Sequence, residues 1–161
     1  MFLPSGRVHA IGAGLVIFEI QQNSDTTYRV FDWNRVGLDG KPRALHVRES
    51  LASINFNDFE PPPIQAEPVT RDGAKIKSLV RDPLFSVEIY EVPAGTNLRL
   101  PPGTVQILAV VSGKLAVRDN ATTLDLVPGE FGMLPATLPQ TSIQTQADSL
   151  FLRIEAGASR K

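Results

Sequence analysis

Cysteine is absent from this 161-residue chain. Its absence excludes a disulfide framework, a thiolate metal site and a cysteine nucleophile, and suits a reducing compartment. A surplus of charge is missing too: 16 Lys and Arg stand against 17 Asp and Glu, for a net charge of −1. The basic residues are scattered, so there is no electrostatic footprint for nucleic acid and no face that reads as membrane-binding. No apolar run approaches the roughly eighteen residues of a membrane span. The opening MFLPSGRVHAIG lacks a charged region followed by a long apolar core, so it does not read as a signal peptide. A cytoplasmic protein, with neither nucleic acid nor membrane as partner, is the expectation. The chain already reads as a turn leading into a strand at LPSG, which suggests a piece of something longer.

What is present in quantity is punctuation. Thirteen prolines and twelve glycines break the chain into short apolar runs, the pattern of an antiparallel all-β protein with one domain's worth of core. Residues 7–11, 15–22 and 26–32 read as three strands joined by GAG and NSD turns. Alternation in the second puts Leu15, Ile17 and Glu19 on one face and Val16, Phe18 and Ile20 on the other. With both faces mostly apolar, Glu19 is expected to be buried, and a buried carboxylate needs a partner. Arg29 could supply it. The SDTT turn, residues 24–27, offers side-chain oxygens to its own backbone.

ALHVRESLASI places Ala44, Val47, Leu51 and Ile54 at helical spacing, and this is the one convincing helix. His46, near its start, reads as a helix-face residue. The stretch FEPPPIQAEP, residues 59–68, removes backbone donors and fixes an extended chain, so it reads as a spacer. Beyond it, strands recur at 75–80, 85–92, 97–100, 104–112, 114–118, 122–127, 132–134, 141–144 and 149–155, as in a sandwich or barrel. Leu108, Val110 and Leu115 are expected to fill an apolar interior.

Two turns in this second module, VVSGKLAV and DLVPGEFGMLPA, resemble the cupin pattern. The histidines and glutamate that metal-binding cupins carry around those turns are missing here, so the resemblance implies a metal-free cupin barrel. The opening stretch is a sharper match. LPSGRVHAIGAGLVIFEIQQNSDTTYRVFDWNRVGLDGKPRALHV closely resembles the signature region of type I mannose-6-phosphate isomerases, over roughly Leu3 to Phe56. The implied fold is all-β and mainly antiparallel, a cupin-like double-stranded β-helix barrel with one short helix. Residues 1–58 would be the C-terminal part of the family's catalytic cupin, 59–68 the spacer and 69–161 the metal-free barrel, together one compact unit.

The same resemblance implies that His9 is a Zn²⁺ ligand and that Glu19 and Arg29 are active-site residues. The implied reaction is the aldose–ketose isomerisation of mannose 6-phosphate and fructose 6-phosphate, a proton moving between C1 and C2 through an enediol. Zinc would polarise the sugar oxygens, and the arginine would stabilise the developing negative charge. The family's remaining zinc ligands, a Gln-x-His pair and a glutamate, match nothing in this chain. One protein ligand cannot hold a catalytic zinc, which takes about three. A chain inactive by itself, binding zinc weakly or not at all, is therefore expected, with a homodimer covering the exposed edge of residues 7–32. The alternative is a non-catalytic cupin module for sugar binding, regulation or dimerisation.

Overall fold

The computed structural model describes residues 1–24, 26–58, 60 and 62–157. Asp25 of the SDTT turn, and Phe59 and Pro61 of the proline-rich stretch, lie outside the described residues. The chain divides into two compact units, Met1–Pro63 and Ile64–Lys161.

In the first unit the regular elements are a helix, α1 (Val47–Ser53), and an isolated antiparallel bridge between Val36 and Pro42. His46 stands at the N-cap of α1 without a side-chain cap, and its carbonyl accepts the Ser50 N–H at 2.8 Å. The three strands expected at 7–11, 15–22 and 26–32 do not form among the described residues. The cause is backbone hydrogen bonding. Alternation prepares a segment for a sheet, but a strand exists only where a neighbouring strand takes up its N–H and C=O groups. The consequence for Glu19 is direct: with no sheet on either side its side chain is exposed, not buried as expected.

The described residues of the second unit form ten strands: β1 (Val69–Arg71), β2 (Ala74–Arg81), β3 (Phe85–Val92), β4 (Asn97–Leu100), β5 (Gln106–Ser112), β6 (Leu115–Arg118), β7 (Thr123–Leu126), β8 (Phe131–Leu134), β9 (Thr141–Thr145) and β10 (Ser149–Ala156). They form a six-stranded sheet in the order β1-β2-β3-β10-β5-β8 and a four-stranded sheet in the order β4-β9-β6-β7. Every pairing is antiparallel. Strands distant in sequence lie side by side, as β10 does between β3 and β5, which is how a jelly-roll barrel is wound.

The interior follows from the period of two. In β10, Phe151 lies across from Tyr90 and Val110. Those residues join Leu108, Leu115, Val117, Leu126 and Ile143 in one buried cluster drawn from both sheets. The rings of Tyr90 and Phe151 stack with centroids 5.0 Å apart. Leu108, Val110 and Leu115 are buried, as the alternation requires.

Two glycines show why the turns carry the residues they do. Gly113, in the turn that carries the chain from β5 in one sheet to β6 in the other rather than in a hairpin, has φ +85°, and a Cβ there would lie 2.5 Å from the Asp148 carbonyl oxygen. Gly132, across from Leu108 in the β5–β8 pair, leaves space that Leu126 of the other sheet fills, since a Cβ would come within 2.8 Å of its Cδ1. A larger residue at Gly113 would press on the backbone of Asp148 and Ser149, whereas one at Gly132 would have to displace the Leu126 side chain.

Candidate functional site

The first unit buries polar groups where a core would bury apolar ones. Among the described residues of Met1–Pro63, the buried side chains are Asp32 and Ser50. Asp32 accepts from Arg43 Nε at 2.6 Å and also from Arg43 Nη2, a two-pronged pair. This guanidinium holds the Asp32 carboxyl below its ordinary range, and the positive charges of Arg29 and Arg35 push the same way. A second fork joins Arg7 to Asp58, with Nε and Nη2 donating at 2.8 and 2.7 Å. It lowers the Asp58 carboxyl likewise. Arg7 Nη1 also donates to the Phe2 carbonyl at 2.5 Å, and Asn55 N–H donates to the Gly6 carbonyl at 2.9 Å. Matched forks of this kind fix geometry as well as charge.

The expected site residues fall differently. Arg29 is half-buried and is tied to the start of α1: its N–H donates to His46 Nδ1 at 3.3 Å, and its carbonyl accepts the His46 N–H at 2.8 Å. The His46 ring also lies 6.1 Å from that of Tyr28. His46 is therefore more than a helix-face residue, because it fastens the segment that carries Arg29. His9 is exposed, its Nδ1 3.1 Å from the Arg7 carbonyl oxygen. Among the described residues, the ion pairs of this unit are Arg7–Asp58 and Arg43–Asp32, so the expected Glu19–Arg29 pair is not formed. A cavity of about 320 Å³ opens between Arg7, Val8, Ile54, Phe56 and Asp58. None of His9, Glu19 and Arg29 lines it.

The donors present do not fit a catalytic zinc. Among the described residues, no three His, Asp or Glu side chains are gathered where they could hold a metal ion. His9 offers a single imidazole where about three protein ligands are needed.

The second unit holds a polar group that the sequence reading did not anticipate. Its interior is not apolar throughout. Arg153, two residues from Phe151 on the same face of β10, is buried and lies across from Glu88 and Leu108. Its Nη1 donates to Glu88 at 3.0 Å, its Nε to Gln106 at 2.7 Å, and its Nη2 to Glu155. Tyr90 Oη donates to the same Glu88 oxygen at 3.0 Å, and Thr104 to Glu155 at 3.2 Å. Burial, then the negative charge of Glu88, raises the Tyr90 hydroxyl above its ordinary pKa. The signal was there in SLFLRIEA, where Phe151, Arg153 and Glu155 share one side of a strand. Each of the three guanidinium nitrogens of Arg153 has a partner, so the group reads as an internal polar network.

This winding of two antiparallel sheets is a cupin fold. An RmlC-like cupin from Shewanella frigidimarina superposes on 64% of this chain and 94% of its own, with a TM-score of 0.55 at 14% identity. The relationship can be drawn more narrowly, because the chain is a homologue of mannose-6-phosphate isomerases. It is 31% identical over 139 residues to the mannose-6-phosphate isomerase of Streptococcus mutans, covering 85% of this chain and 42% of that protein. It is 28% identical over 150 residues to mannose-6-phosphate isomerase ManA of Bacillus subtilis, covering 92% and 47%. The crystal structure of the mannose 6-phosphate isomerase from Bacillus subtilis matches 83% of this chain and 41% of its own, with a TM-score of 0.69 at 26% identity. No protein-family model matches the chain. The chain thus spans somewhat less than half the length of the relatives it matches.

Proposed function

We propose that this chain carries part of a mannose-6-phosphate isomerase centre, with His9 as one metal ligand and Glu19 and Arg29 facing the sugar phosphate. The observation that supports this is the extent of the relationship. The match to Bacillus subtilis ManA leaves only 8% of this chain outside it, so most of residues 1–63 are aligned within an isomerase. The centre belongs to the larger fold and is incomplete here. His9 alone cannot retain zinc, and a chain without substantial isomerase activity of its own follows. Arg29 would stabilise the negative charge that develops as the C1–C2 enediol forms. Its attachment to His46 holds the backbone from which that guanidinium extends.

By itself the chain is proposed to pair as a homodimer through residues 7–32 in the cytoplasm. Among the described residues, no helix is long and apolar enough to cross a membrane. The competing reading is a non-catalytic cupin, in which the second unit is the working part and residues 1–63 do no chemistry.

A chimera separates the two. This chain replaces the matching part of Bacillus subtilis ManA, and conversion of mannose 6-phosphate to fructose 6-phosphate is followed in a coupled assay with Zn²⁺. The chimera is expected to turn over, His9→Ala to abolish the zinc-dependent rate, and Arg29→Ala to lower kcat by about 100- to 1000-fold. A folded chimera indifferent to both substitutions would overturn the assignment.

A further inference from the structure

We propose that residues 101–104 are a strap over one end of the barrel, latched from inside by Arg153, and that it opens while the strands stay folded. The inference concerns the second unit and does not depend on the isomerase reading. These residues carry the chain from β4 in the four-stranded sheet to β5 in the six-stranded one, so they cross from one sheet to the other. Their sequence, Pro-Pro-Gly-Thr, decides how they are held. Proline has a fixed φ and no N–H, so Pro101 and Pro102 form a stiff arm that cannot donate to a strand. Gly103 follows at φ +93°, and a Cβ there would meet no atom within 4 Å. The glycine is therefore a joint and not a packing contact. Among the described residues, no backbone–backbone hydrogen bond reaches residues 101–104, and Pro101, Pro102 and Gly103 are exposed.

What holds the strap is side-chain chemistry from the barrel interior, at two points. Buried Gln106 donates from Nε2 to the Pro101 carbonyl at 2.6 Å. Thr104 Oγ1 donates to Glu155 Oε1 at 3.2 Å. Both fastenings lead to Arg153. Its Nε donates to Gln106 Oε1 at 2.7 Å, which turns the NH2 end of that amide toward Pro101. Its Nη2 donates to the same Glu155 oxygen that Thr104 uses, and Nη1 is anchored on Glu88 at 3.0 Å. A guanidinium is a rigid fork, so one buried side chain sets both fastenings. Opening withdraws Pro101 from Gln106 and Thr104 from Glu155, and gives water a way to the buried guanidinium. It breaks two side-chain bonds and leaves the backbone ladders of β3, β5 and β10 intact, which makes it a local event and not an unfolding one.

The test is 15N relaxation dispersion on the full chain, read at the amides of Gly103, Thr104 and Val105. The expected wild-type result is exchange on the microsecond-to-millisecond scale with an open state of about 0.1–10%, absent from the amides of β3, β5 and β10. Thr104→Val removes one fastening at nearly constant volume and should raise the open population about five-fold, the equivalent of one neutral hydrogen bond. Gly103→Ala touches no neighbour and acts only through its positive φ, so it should raise the population as well. Arg153→Lys keeps the charge and loses the fork. It should raise opening at least as far as Thr104→Val, and adding Thr104→Val to it should then have almost no further effect, because the two act on one latch. A five-fold effect of Thr104→Val in both backgrounds would overturn the role of Arg153. Exchange shared equally by β3, β5 and β10 would overturn the strap, since the whole barrel would then be opening. Should Arg153→Lys fail to fold, Thr104→Val and Gly103→Ala still decide: a strap whose exchange neither of them changes is not held as described.

Discussion

Residues 1–63 and 64–161 are written in the same alternation of apolar and polar side chains, yet they bury opposite things. Among the described residues, every buried hydrophobic lies between Ala74 and Ile154, whereas the first unit buries only Asp32 and Ser50. The second unit contains both members of each strand pair it needs, so its apolar faces close on one another and its backbone groups are taken up in ladders. The first contains strand-like sequence without the opposing strands. Forks between Arg7 and Asp58 and between Arg43 and Asp32 hold its shape locally. Alternation is thus a necessary condition for a strand, and a partner in reach is the sufficient one.

That contrast can be broken most forcefully inside the barrel. Arg153→Leu removes the one cation among Glu88, Glu155 and Gln106, and leaving a buried pair half-made should cost about 3–5 kcal/mol. Phe151→Ala, which opens a cavity under Tyr90, should cost about as much. Urea unfolding of each variant measures this, and a loss below about 1 kcal/mol for both would mean that the barrel is not the stable part.

A pH titration should sharpen the contrast at the acid end. Asp32 and Asp58 have folded values below the ordinary 3.8, so their contribution is fully present above that value. It is lost as pH falls through the depressed folded values, because only then must the paired carboxylates take up protons. Nuclear magnetic resonance signals around Arg7 and Arg43 should therefore change below pH 3.8, and Asp58→Asn should remove the change at Arg7.

At the alkaline end the sign reverses. Tyr90 has a raised folded pKa, so its contribution is present below pH 10 and declines as pH rises toward the folded value. Tyr90→Phe should flatten that decline, at a cost near neutrality of about 1 kcal/mol for the lost hydrogen bond to Glu88. An unchanged alkaline slope would show that the hydroxyl is not responsible. The smallest effect is expected from Val16→Ser in the first unit, within about 0.5 kcal/mol by the same urea titration, since an exposed side chain loses no burial.

Much of the second unit was legible in the sequence because its turns are chemically explicit. Gly113 needs a positive φ, and the Pro128–Gly129 turn places Gly129 at φ +87°. The strands between such turns begin and end within two residues of the expected positions, β3 and β4 without any shift. The three-residue β1 was not anticipated, being too short to show a period. Arg153 went unread because two of the partners that satisfy it, Gln106 and Glu88, lie 47 and 65 residues away in sequence.

The candidate site was legible only as a resemblance. His9, Glu19 and Arg29 were singled out by the stretch they sit in. Local alternation placed Glu19 in a buried strand, but among the described residues no strand forms there and its side chain is exposed. The Arg29–His46 tie joins residues 17 apart in sequence, beyond the reach of any local period.

Every strand of the second unit is paired, whereas among the described residues no strand runs through residues 8–17 of the first. Native-state hydrogen exchange on the 161-residue chain by itself, at a concentration low enough to keep it monomeric, tests this most directly. Amides in β3, β5 and β10 should exchange only through global unfolding, and those of residues 8–17 should exchange nearly as fast as in an unstructured peptide. Comparable protection in both regions would contradict the account, because residues 8–17 would then have found their partners within this chain.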